Sequence, residues 1–116
     1  MSSPEEVKQF YEKFKRSFGQ MQKETPQTVS AFMGLFKNVM GEGALTVAEK
    51  EAVALGIAVA LRCKECIRLH TQKCVEAGMS RKQILEAASV AVMMAGGPAY
   101  TQLPDVLDAL DALEAK

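Results

Sequence analysis

The stretch TVAEKEAVALGIAVALRCKECIRLH, residues 46–70, decides how this chain is expected to fold. It opens with Thr46 and Glu49, which have the spacing of a capping box and predict the start of an α-helix. The run from Ala52 to Leu61 is apolar on nearly every side, so we expect this helix to be central. Its length is too short to cross a bilayer and suits a buried helix.

The polar break at residues 62–65 separates this apolar helix from the next one, which runs on as far as Gly78. Cys63 is therefore expected at or just before the new N-terminus, with Cys66 one turn inside. Cysteines three residues apart on a helix have α-carbons about 5–6 Å apart, within range of a disulfide. His70, the only histidine, lies four residues beyond Cys66 and shares its face.

Helix start and stop signals recur along the rest of the chain. We expect helices from Ser3 to about Phe18, after Thr25, after Ser80 and from Leu103 to Leu113. No segment alternates apolar and polar residues as a half-buried strand would. The prediction is an all-α, single-domain bundle of about six helices over residues 1–116, in which residues 1–44 form a less motif-rich N-terminal helical part.

The composition excludes several classes of function. Fourteen basic and fourteen acidic residues cancel, which argues against nucleic acid or an anionic membrane as a partner. The N-terminus is polar and lacks the pattern of a secretory signal, so we expect a cytoplasmic protein. In such a reducing compartment, a CxxC pair is more often redox-active or metal-binding than structural.

A reversible dithiol explains the cysteine pair better than a structural disulfide does. Closing so short a loop removes little entropy from the unfolded chain, about 2 kcal/mol. A helix N-terminus stabilises the thiolate of Cys63, and the imidazole of His70 can take or return a proton. Glu51 lies in the apolar helix, where a carboxylate is costly to bury unless it is protonated or paired. It is expected either to face His70 as its base or to pair with Lys50 or an arginine.

The spacing Glu51-x11-Cys63-x2-Cys66-x3-His70 resembles the signature of the AhpD-like alkylhydroperoxidases, within the carboxymuconolactone decarboxylase superfamily. The resemblance extends from about Leu45 to Leu110 and includes the Gly-Gly-Pro break that starts at residue 96. It implies an all-helical homotrimer or homohexamer with an antioxidant, thiol-dependent peroxidase or disulfide oxidoreductase activity and no cofactor. The decarboxylase branch does not depend on a CxxC pair, so the pair argues against that reaction.

The resemblance also implies the roles of the four motif residues. Cys66 would attack a peroxide or disulfide substrate, Cys63 would resolve the product to a disulfide, and Glu51 with His70 would relay protons. An external thiol reductant or a redox partner protein would recycle the pair. Proximity to the helix end instead favours Cys63 as the first nucleophile, so the order of attack stays open. Some members carry a second histidine between the cysteines, where this chain has Lys64 and Glu65.

Two other functions compete with this interpretation. Cys63, Cys66 and His70, with Glu51 or Cys74, have the ligand types of a tetrahedral zinc site in a binding or structural protein, although structural zinc usually uses two separated ligand pairs. A helical interaction module without chemistry leaves the motif spacing unexplained. Cys74 falls outside the motif and is interpreted as core, as are the methionines. The apolar helix needs cover on all sides, which predicts a homo-oligomer.

Overall fold

The computed structural model describes residues 2–116 as α-helices joined by short turns, with no strand in that range. The helices are α1 (Pro4–Glu24), α2 (Pro26–Met40), α3 (Val47–Ala60), α4 (Lys64–Glu76), α5 (Arg81–Ala95), α6 (Gly97–Tyr100) and α7 (Leu103–Ala112). The predicted all-α architecture is confirmed, with six helices of ten or more residues and the single turn α6. No helix of the described chain combines the length and the apolar character needed to cross a membrane.

Local sequence determines most of the helix boundaries. Thr46 and Ser80 each begin a helix with a complete capping box, in which side chain and backbone groups bond reciprocally. α1 is longer than expected and continues past Phe18 to Glu24. A single glycine at position 19 is tolerated within a helix, whereas Pro26 disfavours the helical conformation at the residue before it. The helix therefore ends only at that proline.

The core lies where α3 packs against α4 and α5, with α7 packed against α4 and α1 packed against α7. It consists of small and branched apolar side chains: Leu55, Ala58, Val59, Ile67, Cys74, Ile84, Ala88, Ala91, Ala99, Val106 and Leu110. Buried side chains on one face of α3 thus meet side chains from both neighbouring helices. This contact positions the N-terminal half of α3 beside α4, where the candidate site lies.

Within a single chain, neighbouring helices cover only one face of α3. Val53, Ile57 and Leu61, spaced four residues apart on the other face, are 55%, 53% and 71% exposed. α2 buries none of its side chains and exposes Phe32 and Leu35. The cover expected on all sides of the apolar helix is therefore incomplete within a single chain.

The expectation that the methionines fill the core is wrong for most of the described ones: none is fully buried, and Met79 alone is a partly buried side chain packed against the core. Met93 and Met94 are among the most exposed apolar side chains. α5 buries Ile84, Ala88 and Ala91 against the core. At about 100° per residue, Met93 lies on the opposite face of α5 from that buried stripe. Apolar character alone did not reveal which face of the helix would be covered.

Candidate functional site

The turn from α3 to α4 brings the cysteine pair to the start of α4. The backbone N–H of Cys63 donates to the carbonyl of Ala58 at 3.1 Å, and that of Arg62 donates to Val59 at 3.1 Å. These bonds form a Schellman motif with Arg62 in the left-handed conformation (φ 56°). Cys63 is consequently the N-cap of α4, and its sulfur accepts from the N–H of Cys66 at 3.2 Å.

Cys63 and Cys66 are joined by a disulfide, with α-carbons 5.2 Å apart. This separation lies within the range expected from the helical spacing. Both side chains are half-buried, so the pair lies at the surface of the α3–α4 contact rather than in the core. The helix N-terminus and partial exposure are the surroundings in which thiolates form and react.

Packing of α3 against α4 joins Glu51 to His70 across nineteen residues of sequence. The imidazole Nδ1 lies 2.7 Å from Oε1 of Glu51. Glu51 is only 2% exposed, whereas the His70 side chain is 24% exposed. An ionised carboxylate only accepts, so with Glu51 ionised Nδ1 would carry the proton of this bond and Nε2 would be the nitrogen that can exchange a proton.

Lys50 does not pair with Glu51. Its ammonium group donates to the carbonyls of Val39 at 2.7 Å and Gly41 at 2.6 Å, at the C-terminus of α2. A cation at that position satisfies carbonyls that lack helical partners. Lys50 therefore joins α2 to α3, a contact between two helices that helix signals alone did not predict.

A groove of about 370 Å³ reaches Glu51 from the side of α2. Its wall is formed by Phe36, Lys37, Met40, Gly41, Val47, Glu51, Lys73, Glu76 and Ala77. The Lys73 ammonium group lies 5.0 Å from the ring centre of Phe36. Because α2, α3 and α4 all contribute side chains, no local pattern in the sequence identified this groove.

Cys74 lies in the core, as interpreted from the sequence, and is not part of the disulfide. Burial raises the pKa of its thiol to about 12, and the nearby charge of Glu51 contributes in the same direction. Such a thiol stays protonated and unreactive at neutral pH. Between residues 2 and 116, no group of three or more His, Cys, Asp or Glu side chains is arranged to hold a metal ion.

Three known proteins are similar to this chain over half of its length or more. An uncharacterized protein of Cupriavidus necator is 33% identical over 100 residues, which cover 86% of this chain and 88% of that protein. The crystal structure of a carboxymuconolactone decarboxylase family protein from Legionella pneumophila superposes with a TM-score of 0.81 at 31% identity, covering 94% and 95% of the two chains. The alkyl hydroperoxide reductase AhpD of Mycobacteroides abscessus is 32% identical over 63 residues, 54% of this chain and 36% of that enzyme.

The family model for these proteins matches residues 26–112, which include α2 to α7 and all four motif residues. The match begins at the first residue of α2, so α1 lies outside it. The chain belongs to the carboxymuconolactone decarboxylase family.

Proposed function

We propose that this protein is a thiol-dependent peroxidase or disulfide oxidoreductase of the alkylhydroperoxidase type. One observation carries the proposal: a buried carboxylate is hydrogen-bonded to the only histidine, one helical turn from the Cys63–Cys66 disulfide. A structural role explains the disulfide or the buried pair separately, but not their placement together. The similarity to an alkyl hydroperoxide reductase supports the same activity.

In the proposed reaction, the thiolate of Cys66 attacks the terminal oxygen of a hydroperoxide. The oxygen–oxygen bond breaks, the alkoxide leaves as an alcohol after taking a proton, and Cys66 becomes a sulfenic acid. The thiolate of Cys63 then attacks that sulfur, the sulfur–oxygen bond breaks, and the hydroxide takes a proton and leaves as water, which leaves the disulfide. An external dithiol or a redox partner protein returns two electrons and two protons to the pair.

In this proposal, Glu51 and His70 carry out the proton transfers. Nε2 of His70 takes the thiol proton while Nδ1–H stays bonded to the carboxylate. The negative charge of Glu51 stabilises the imidazolium that forms, and burial strengthens this interaction. The imidazolium then supplies the proton that the departing alkoxide requires.

We also propose that the working form is a homotrimer or homohexamer. The α3 face, α2 and α5 all expose large apolar side chains, among them Ile57, Phe32 and Met93, and exposed apolar patches often mark sites of protein–protein contact. Burial of such faces against further copies is the ordinary way to remove them from water.

The test begins with fully reduced protein and one equivalent of cumene hydroperoxide. We expect two thiols to be lost per chain and peptide mapping to find the 63–66 disulfide. Cys66→Ser should abolish peroxide consumption. Cys63→Ser should stop the reaction at a sulfenic acid, which dimedone traps on Cys66.

Cys74→Ser is the matched control, because it removes a thiol outside the pair and should leave the stoichiometry of peroxide consumed unchanged. Peroxide loss that persists in Cys66→Ser would contradict the assigned nucleophile. One zinc ion per chain in the purified protein, bound by the two motif cysteines, would favour the metal-site alternative.

A further inference from the structure

Arg62 occupies a backbone position that usually belongs to glycine. Its φ of 56° lies in the left-handed region, and the corresponding residue at the end of α4 is Gly78, with φ 89°. In both turns, this residue and the one after it donate the two hydrogen bonds of a Schellman motif. The end of α7 has the same two bonds with Glu114 in this conformation (φ 54°), so the turn accepts a side chain at this position but does not itself require an arginine.

Arg62 directly precedes Cys63 in the turn that carries the cysteine pair. The Arg62 side chain is exposed, and no acidic group among residues 2–116 forms a salt bridge with it. Lys64 follows Cys63 on the other side and is also exposed. The one acidic residue of this turn is Glu65, so cations outnumber anions around Cys63.

We infer that Arg62 gives the dithiol a preference for anionic substrates, namely disulfides or hydroperoxides that carry a carboxylate. The inference rests on the proposed function only in taking the 63–66 pair as a reactive dithiol. With a disulfide substrate, a cysteine thiolate attacks one sulfur, the substrate's sulfur–sulfur bond breaks, and one substrate thiolate leaves. The second cysteine then displaces the other substrate thiolate and closes the 63–66 disulfide. A guanidinium beside the dithiol attracts the carboxylate as the substrate approaches.

Two reagents that differ in charge test this inference on the reduced full-length protein. 5,5′-Dithiobis(2-nitrobenzoate) carries two carboxylates, and 4,4′-dithiodipyridine is neutral; both report each thiol by absorbance. Arg62→Gly should slow the anionic reagent about fivefold at low salt, the effect of one unit charge that approaches a carboxylate to about 4 Å in water. The neutral reagent should change by less than twofold. High salt should remove most of the difference between wild type and variant.

Glu114→Gly is the matched control, because Glu114 has the same left-handed backbone (φ 54°) at the end of α7. Both glycine variants should fold, as circular dichroism will verify, and only Arg62→Gly should lose the anionic preference. Arg62→Lys should keep most of it. Equal slowing of both reagents in Arg62→Gly, or slowing of neither, would overturn the inference. Wild type that reacts with both reagents but consumes no peroxide would reject the peroxidase activity and leave the Arg62 result intact.

Discussion

Glu51→Gln removes one negative charge from the contact between α3 and α4 and preserves the size of the side chain. The amide oxygen can still accept from Nδ1–H of His70, at the position where the carboxylate accepts at 2.7 Å. The fold is therefore expected to survive. What disappears is the charge that stabilises the imidazolium when His70 takes a proton from the dithiol.

We expect the rate of dithiol oxidation by peroxide to fall about 10²-fold, the lower end of the range for general acid–base catalysis. That factor corresponds to about 2.7 kcal/mol of transition-state stabilisation. The lower end applies because His70 is partly exposed, so water can replace part of the proton transfer. Glu51 itself is almost fully buried, and its charge is poorly screened by solvent.

Stopped-flow measurement of thiol loss in fully reduced protein gives this rate directly. His70→Gln should show a similar decrease, and the double variant should be little slower than either single one, because the two residues act as a unit. Glu49→Gln is the matched control: it removes one charge from the same helix, but Glu49 is exposed and bonds to Thr46. Rates for Glu51→Gln and His70→Gln within a factor of two of wild type would refute the relay.

Three further outcomes are expected. Because burial raises the pKa of Cys74 to about 12, iodoacetamide at pH 8 should alkylate the two motif thiols of the reduced native protein and reach Cys74 only after unfolding. Burial also raises the pKa of Tyr11, whose hydroxyl donates to the Arg68 carbonyl at 2.6 Å. Its stabilising contribution should be complete below about pH 10 and decline as pH rises through the higher folded value. Tyr11→Phe should cost about 1 kcal/mol at neutral pH and remove this alkaline dependence in urea titrations. Light scattering should find three or six chains at micromolar concentration, and Ile57→Lys should dissociate them; a monomeric wild type would contradict the proposed assembly.

Short-range rules in the sequence were sufficient for most of the helices and for the placement of the cysteines. Thr46 and Ser80 predicted helix starts because a capping residue bonds to backbone groups only three positions away. The same locality made the Cys63–Cys66 separation predictable, since both residues belong to one helical turn. The catalytic roles of the motif residues came from the family resemblance and stay proposals.

Contacts between helices were decided only by the tertiary structure. The sequence left Glu51 free to pair with Lys50 or His70; packing of α3 against α4 brought it to His70, while the end of α2 took Lys50. The exposure of Ile57 and Met93 could not be predicted from the sequence for a related reason. An apolar stripe indicates that a helix face avoids water, but it does not indicate which neighbour, in the same chain or another, covers that face.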